Sequence, residues 1–321
     1  MPASSARGRS DVDRRIRGLR PPKPYVDPFV AHGTAIDEER RPNGRVEQAL
    51  TIFLAGAECP FTCSFCDLWK YTIDEPTPVG ALPAQIEHVL TALDQPLPER
   101  IKLYNASNFF DRRAVPVDDL PRIAALAAPF TGVTVETHVN TIGPSTLAFA
   151  RQLSGGLEVA VGLETVHPTA VAQLNKRLDL DRFEHVVRFL GANGIDLRVF
   201  VLLGTPHVPA GEMVDWTVRS VEYAVARGAA VVSIIPLRGG NGEMERLQSL
   251  GHFTPPTLSQ LEQALDASIG STRSVVTVDL WDVDRLPACA TCRTARVARL
   301  GRMNITGRAE PRVACDMCGA A

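Results

Sequence analysis

Lysine is scarce in this chain. Lys23, Lys70, Lys102 and Lys176 stand against thirty arginines, an imbalance that base composition explains and from which no function is drawn. Long apolar runs are missing as well. The longest uncharged apolar stretch, Gly228 to Leu237, is about half of the roughly 20 residues a membrane-spanning helix needs, so no bilayer span is expected. The N-terminus, MPASSARGRSDVDRRIRG, lacks the apolar core of a secretory leader, and Asp11 and Asp13 argue against a transit peptide. A cytoplasmic protein is the expectation. There is no internal repeat and no long low-complexity linker, and the glycine-rich PLRGGNGE (236–243) does not have the spacing of a nucleotide-triphosphate loop.

What is present is an ordinary globular composition. With 45% apolar and 22% charged residues, 24 Gly and 24 Pro among 321 residues, the chain forms one large domain or two smaller ones and is neither collagen-like nor disordered. Its net charge of −2 hides a segregation. Residues 1–23 hold seven basic and two acidic side chains, and residues 289–321 hold six Arg against one Asp and one Glu, which leaves −11 for the middle. An acidic body with basic ends is not a coat for a nucleic acid, although either end could touch phosphate.

From residue 49 onward, short β-branched runs alternate with amphipathic segments. ALTIFLAG (49–56), RIKLYNA (100–106), GVTVETHV (132–139), LEVAVGLET (157–165), DLRVFVLLG (196–204), AAVVSIIPL (229–237) and SVVTVDLW (274–281) read as strands. Helical patterns fall between them at 83–94, 118–128, 144–153, 168–191, 212–227 and 258–269. Continuous apolar strands in strict alternation with helices imply a parallel sheet with right-handed crossovers, either a complete or partial barrel or an open doubly wound sheet. Chemistry then belongs at the carboxyl ends of the strands. The Pro-rich PPKPYVDP (21–28) separates a basic tail from the body.

The seven cysteines are the most informative residues. They fall into two groups, Cys59, Cys63 and Cys66, then Cys289, Cys292, Cys315 and Cys318, with none left over. In a chain of this length without a leader, metal ligation in a reducing compartment is a better reading than a disulfide framework. The first group is C-x3-C-x2-C, placed just after the first strand. Three thiolates at this spacing can wrap one corner of a cubane, and supplying three of the usual four leaves one iron open. The second group is C-x2-C, twenty-two residues, C-x2-C, a complete set for tetrahedral zinc or for a closed Fe-S cluster. The segment 286–321 is shorter than the roughly 40 residues below which a chain usually needs a metal or a disulfide to fold.

Cys59, Cys63, Phe65 and Cys66 match in full the C-x3-C-x-aromatic-C signature of the radical S-adenosylmethionine (radical SAM) enzymes, which this sequence resembles. The resemblance implies a 4Fe-4S cluster whose open iron chelates S-adenosylmethionine, reductive cleavage to a 5′-deoxyadenosyl radical for hydrogen abstraction, and an electron donor such as a flavodoxin or ferredoxin. Phe65 would then pack near the adenine. The stretch from Val161 to Pro206 is similar to the fourth-to-fifth-strand region of the subgroup with elongator acetyltransferase, tRNA methylthiotransferases and oxygen-independent coproporphyrinogen oxidase. That places Glu164 on the ribose, and Arg198 could pair with the carboxylate of S-adenosylmethionine or form a structural salt bridge. Where the family carries a Gly-Gly-Glu-like segment for the methionine amino group, this chain has Asn105-Ala106-Ser107, whose amide and hydroxyl could do a similar job. IKLYNASNFFD looks like the corresponding region of the archaeosine-forming radical enzyme, a tRNA modifier.

His138 and Glu136 near the end of the third strand could face the barrel mouth, His138 as a proton carrier or as a satisfied buried side chain. Arg238 and Asn241 are further candidates near a substrate. The expected fold is α/β, a partial (β/α)6 TIM-type barrel (46–285) with a basic, flexible extension (1–45) and a C-terminal four-cysteine metal module (286–321) holding zinc or an auxiliary 4Fe-4S cluster. RNA modification leads among the substrates. A peptide or small molecule, handled with an auxiliary cluster, is the alternative, and a metal-binding scaffold without turnover is the reading from another class.

Overall fold

The computed structural model describes residues 3–269 and 274–319. Eight strands lie in sequence order in one sheet curled into a half-barrel. They are β1 (Gly33–Arg40), β2 (Val46–Phe53), β3 (Arg100–Tyr104), β4 (Gly132–Glu136), β5 (Gly156–Glu164), β6 (Asp196–Leu203), β7 (Val231–Pro236) and β8 (Val275–Val278). β1 is antiparallel to β2, and β2 to β8 are parallel throughout. The expected partial α/β barrel forms, with seven parallel strands.

Period-two alternation along the strands sorts the two faces. Leu50, Ile52, Ile101, Leu103, Val133, Val135, Val159, Val161, Val199 and Val201 are buried in one continuous apolar core between sheet and helices. The residues between them line the lumen, and several are charged. Glu39 on β1 pairs with Lys102 on β3 at 2.7 Å and with Arg198 on β6 at 2.8 Å. Arg198 in turn holds Glu158 on β5 at 2.8 Å, Thr134 on β4 donates to the same carboxylate at 3.0 Å, and Arg41 lies 3.0 Å from its other oxygen. All of these side chains come from the starts of the parallel strands, or from the end of antiparallel β1, so an ionic layer fills one end of the barrel. Higher up, Tyr104 and Phe200 meet edge to face with centroids 6.4 Å apart.

This layer explains why β1 was not anticipated. Its sequence, GTAIDEER, shows no apolar alternation because the side chain it sends into the lumen, Glu39, is a carboxylate matched by cations from other strands.

β1 and β8, the two sheet edges, do not pair with each other. The helix Arg293–Thr306 packs against both. From it Asn304 accepts from the Val278 backbone N–H and donates to the Val278 carbonyl, each at 2.9 Å, so one side-chain amide takes the place of a neighbouring strand on β8. Phe53 and Trp281 meet across the same opening, 5.7 Å between centroids.

Burial alone would push the Glu158 carboxyl up, yet the charges of Arg198, Arg41 and Arg100 outweigh it and hold the group at about 2. For Glu39, burial is likewise outweighed by Arg198 and Lys102, again to about 2. Both values lie below the ordinary 4.5, so the stability these groups contribute is fully present above that value and is lost as pH falls from there through about 2. Glu158→Ala leaves Arg198 and Arg41 without their shared counter-charge and is expected to lower the unfolding free energy by about 3–5 kcal/mol at neutral pH. Urea denaturation of the two proteins from neutral to acid pH checks this, and an unchanged midpoint at neutral pH would contradict it.

Candidate active site

The loop that follows β2 carries Cys59, Cys63 and Cys66 at the carboxyl end of the sheet, and all three are free thiols. Several elements fix its course. The Gln85 amide accepts from Ala55 N at 2.8 Å and donates to Ala55 O at 2.9 Å, and Thr77 Oγ1 accepts from Ala57 N at 2.8 Å. Ser64 N donates to Leu174 O at 2.9 Å, and Asn241 Nδ2 donates to Ser64 O at 2.8 Å. Asn241 is therefore a clamp on the cysteine loop. Arg238 is taken up by the Trp281 carbonyl at 2.7 Å and by Asp279 and Asp282. The helix Ala3–Leu19 also reaches the loop: Asp13 accepts from Thr62, within the C-x3-C segment, and from Asn175 at 2.8 Å, and pairs with Arg177 at 2.7 Å.

Burial raises all three thiols, Cys63 to about 12, while the nearby Lys176 opposes the rise at Cys59 and Cys63. Asn108 Nδ2 donates to Cys59 Sγ at 3.2 Å, and its Oδ1 accepts from His138 N at 2.8 Å.

Glu164 ends β5 in a left-handed conformation, φ +67°, just past a register irregularity against β6. A bulge of this kind re-aims one side chain, and strain held in a non-glycine residue is a feature of functional sites. Its carboxylate is buried and paired with Lys176. Gly162 leaves room for this pair, because a Cβ at that position would meet both the Glu164 carboxylate and the Lys176 ammonium and displace them. Burial would lower Lys176, but Glu164, Cys63 and Glu136 outweigh it and keep the ammonium charged. Glu136 is raised to about 7, chiefly by burial. Lys176 Nζ also lies 5.9 Å from the centroid of the Phe65 ring, which packs against the apolar group of Leu202, Leu237, Met244, Leu247 and Phe253.

Lys176 escaped the reading of the sequence. Two signals were available, one of only four lysines and its place twelve residues after Glu164, but neither distinguishes it from a surface lysine.

Asn105 is fully buried in the loop after β3, and among the described residues neither its Oδ1 nor its Nδ2 has a partner; the buried Ser107 Oγ is also unpartnered. Buried polar atoms are ordinarily satisfied, so a pair of such residues beside the cysteine loop fits a ligand rich in donors and acceptors. Cys59, Cys63, Cys66, Phe65, Glu164, Asn105 and Ser107 thus all lie in the strand-end loops or at a strand's carboxyl end.

Two expectations need correction. Arg198 sits near the start of β6, in the ionic layer at the other end of the barrel, where Glu158 and Glu39 occupy it. It is a structural salt bridge. His138 is buried, its ring stacked on Phe61 at 4.2 Å, with Nδ1 accepting from Asn140 N at 3.1 Å and Nε2 donating to Lys176 O at 3.0 Å. Burial, together with Lys176, lowers it to about 3, so the imidazole is neutral and both nitrogens are committed. It positions the Lys176 backbone and is no proton carrier.

The second cysteine group lies beyond β8, at the start of the helix Arg293–Thr306 and in the segment after it. The ligand atoms of Cys289, Cys292, Cys315 and Cys318 all fall within 4.8 Å of one another, an arrangement able to hold a metal ion. Backbone N–H groups of Cys292 and Thr291 pull the Cys289 thiol below its ordinary range.

No protein-family profile matches the chain, and no curated protein matches it either. Solved structures do. Methylornithine synthase (PylB) is 14% identical over 79% of this chain and 69% of its own, with a TM-score of 0.53. SuiB from Streptococcus suis is 13% identical over 75% of this chain, with a TM-score of 0.50, and the chain spans half its length. Coproporphyrinogen III oxidase (HemN) from Escherichia coli, a radical SAM enzyme, is 12% identical over 68% of this chain and 51% of its own, with a TM-score of 0.45. At these identities the likeness is one of architecture: the chain shares the half-barrel fold of methylornithine synthase and SuiB.

Proposed function

We propose that this chain is a radical SAM enzyme whose Cys59, Cys63 and Cys66 hold a 4Fe-4S cluster with one iron left open. The observation that carries the reading is the C-x3-C-x-Phe-C loop seated at the carboxyl end of this half-barrel, beside buried side chains of Asn105 and Ser107 that have no partner among the described residues. A 4Fe-4S cluster held by Cys59, Cys63 and Cys66 would supply the one-electron reduction of S-adenosylmethionine that yields a 5′-deoxyadenosyl radical for hydrogen abstraction. The protein's residues bind and orient. Asn105 and Ser107 suit the amino and carboxylate groups of the methionine half, Lys176 offers a buried positive charge to the carboxylate, Glu164 accepts from ribose hydroxyls, and the Phe65 ring provides a flat apolar face for the adenine. Asn108, which donates to Cys59 Sγ, would tune a cluster held there.

For the substrate we favour RNA. The helix Ala3–Leu19 reaches the cysteine loop through Asp13 and carries the largely exposed Arg14 one residue on. A peptide or small molecule is the alternative. The electron donor is of the flavodoxin or ferredoxin class, and the thiolate sites suit the reducing cytoplasm. Among the described residues no helix is long and apolar enough to cross a membrane.

Anaerobic reconstitution followed by dithionite and S-adenosylmethionine is expected to yield 5′-deoxyadenosine. Cys63→Ala should lose both the cluster's visible absorption and the product; a cluster that forms without cleavage would mark a scaffold instead. Mass analysis of total RNA and of peptide extracts after turnover separates the substrate classes.

Lys176→Ala should weaken S-adenosylmethionine binding roughly ten- to hundredfold, the size of one charge-assisted hydrogen bond, with iron content unchanged and Lys176→Arg retaining most of the affinity. Calorimetric titration of the reconstituted proteins measures this, and equal affinities would remove Lys176 from the site. The His138 ring should show no titration between about pH 5 and 8 in its NMR resonances, because its value lies far below the ordinary range. A midpoint near neutrality would restore it as a proton carrier.

A further inference from the structure

We infer that Cys289, Cys292, Cys315 and Cys318 hold a single tetrahedral zinc ion, and that this ion fixes the helix Arg293–Thr306 across the opening between β1 and β8. The inference concerns a different part of the chain from the radical chemistry and stands whether or not that reading holds.

Geometry separates one ion from a cluster. All four sulfurs lie within 4.8 Å of one another, and Cys292 Sγ is 3.8 Å from Cys318 Sγ. Four thiolates about 2.3 Å from one zinc form a tetrahedron with edges of roughly 3.8 Å. A cubane binds each thiolate to a different iron, which spreads the four sulfurs well beyond such an edge. A closed set of four thiolates with no open position is the mark of a structural zinc site. The spacing therefore also takes away the auxiliary cluster on which the peptide or small-molecule reading leaned.

Surrounding groups suit the negative charge that four thiolates leave around a divalent ion. Arg296 approaches Cys292 Sγ at 4.0 Å while its guanidinium is paired with the buried Glu262 on the helix Leu258–Ile269. Charged neighbours of this kind orient ligands and offset their charge. Cys292 is also the N-cap of the helix, where backbone N–H groups and the helix dipole favour a negative sulfur.

The location gives the ion its task. Cys289 and Cys292 precede the helix and Cys315 and Cys318 follow it, so one ion ties its beginning to the returning chain. That returning chain has almost no regular structure between Arg308 and Ala314 and hangs from Arg299, which donates to Glu310 O at 2.6 Å and to Pro311 O at 3.0 Å. The helix itself carries Asn304 to the free edge of β8 and approaches β1, where Gly307 lies against the Arg40 side chain.

Metal analysis of the full-length protein, purified without oxygen and reconstituted, should find about one zinc beside about four irons per chain. After exposure to air the iron should be lost and the zinc kept. Cys318→Ser should lose the zinc and retain the iron and its visible absorption, and protein made with cobalt should show the intense bands of a tetrahedral thiolate site that Cys315→Ser abolishes. In Cys318→Ser, amide exchange in β8 should accelerate about tenfold or more while β4 and β5 change little, the signature of local opening. Should the serine variants fail to fold, Cys318→His keeps a zinc ligand and is expected to restore both zinc and slow exchange. About eight irons with no zinc, one additional iron in place of zinc, or zinc undiminished in Cys318→Ser would each overturn the inference, and exchange in β8 unaffected by zinc loss would overturn its structural part.

Discussion

Everything about this half-barrel depends on one carboxylate that has no access to water. Glu158 sits among Arg198, Arg41, Arg100 and Thr134, drawn from β3, β4, β6 and the turn after β1. A buried carboxylate would be prohibitive alone, and so would the buried guanidinium of Arg198; together, with Glu39 and Lys102, they form a layer that only the correct curl of the sheet can assemble. The layer occupies the end of the lumen where the parallel strands begin. The opposite end is left for the candidate site, where the strands deliver the cysteine loop, Glu164 and the loop with Asn105.

At that end, the structure uses small local departures from regularity. Glu164 is turned by a bulge into a left-handed conformation, and Gly162 clears the space that its carboxylate and Lys176 share. Lys176 is the hub, within electrostatic reach of Glu164, Glu136 and two of the three thiols, and its backbone carbonyl is held by a neutral histidine. The result is a compact positive charge beside a loop that would bind an anionic thiolate cluster, kept in place by residues that do not themselves react.

Much of this was legible in the sequence. The parallel strands appeared as apolar β-branched runs because their helix-facing side chains are uniformly apolar, and the cysteine spacing announced both thiol groups. What could not be read had a common cause. β1 is invisible because the lumen beside it is ionic, so GTAIDEER carries none of the alternation that marks a strand. Arg198 looked like a ligand, and Lys176 like nothing in particular, because a charged residue in a strand or loop gives no sign of which end of the barrel its partners occupy. His138 shows the same limit, since neutral and proton-carrying histidines differ only in their neighbours.

Asn304 has a consequence for the behaviour of the chain in solution. A half-barrel ends in strands whose unpaired amides and carbonyls can template the addition of a strand from another molecule, and β8, though short, is apolar enough to invite it. By occupying both hydrogen-bonding groups of Val278 with a side chain, the terminal helix acts as a stopper against self-association. Detachment of that helix would bare the β8 edge while the strand-end loops at the opposite end were still intact, so colloidal behaviour would be the first property to change.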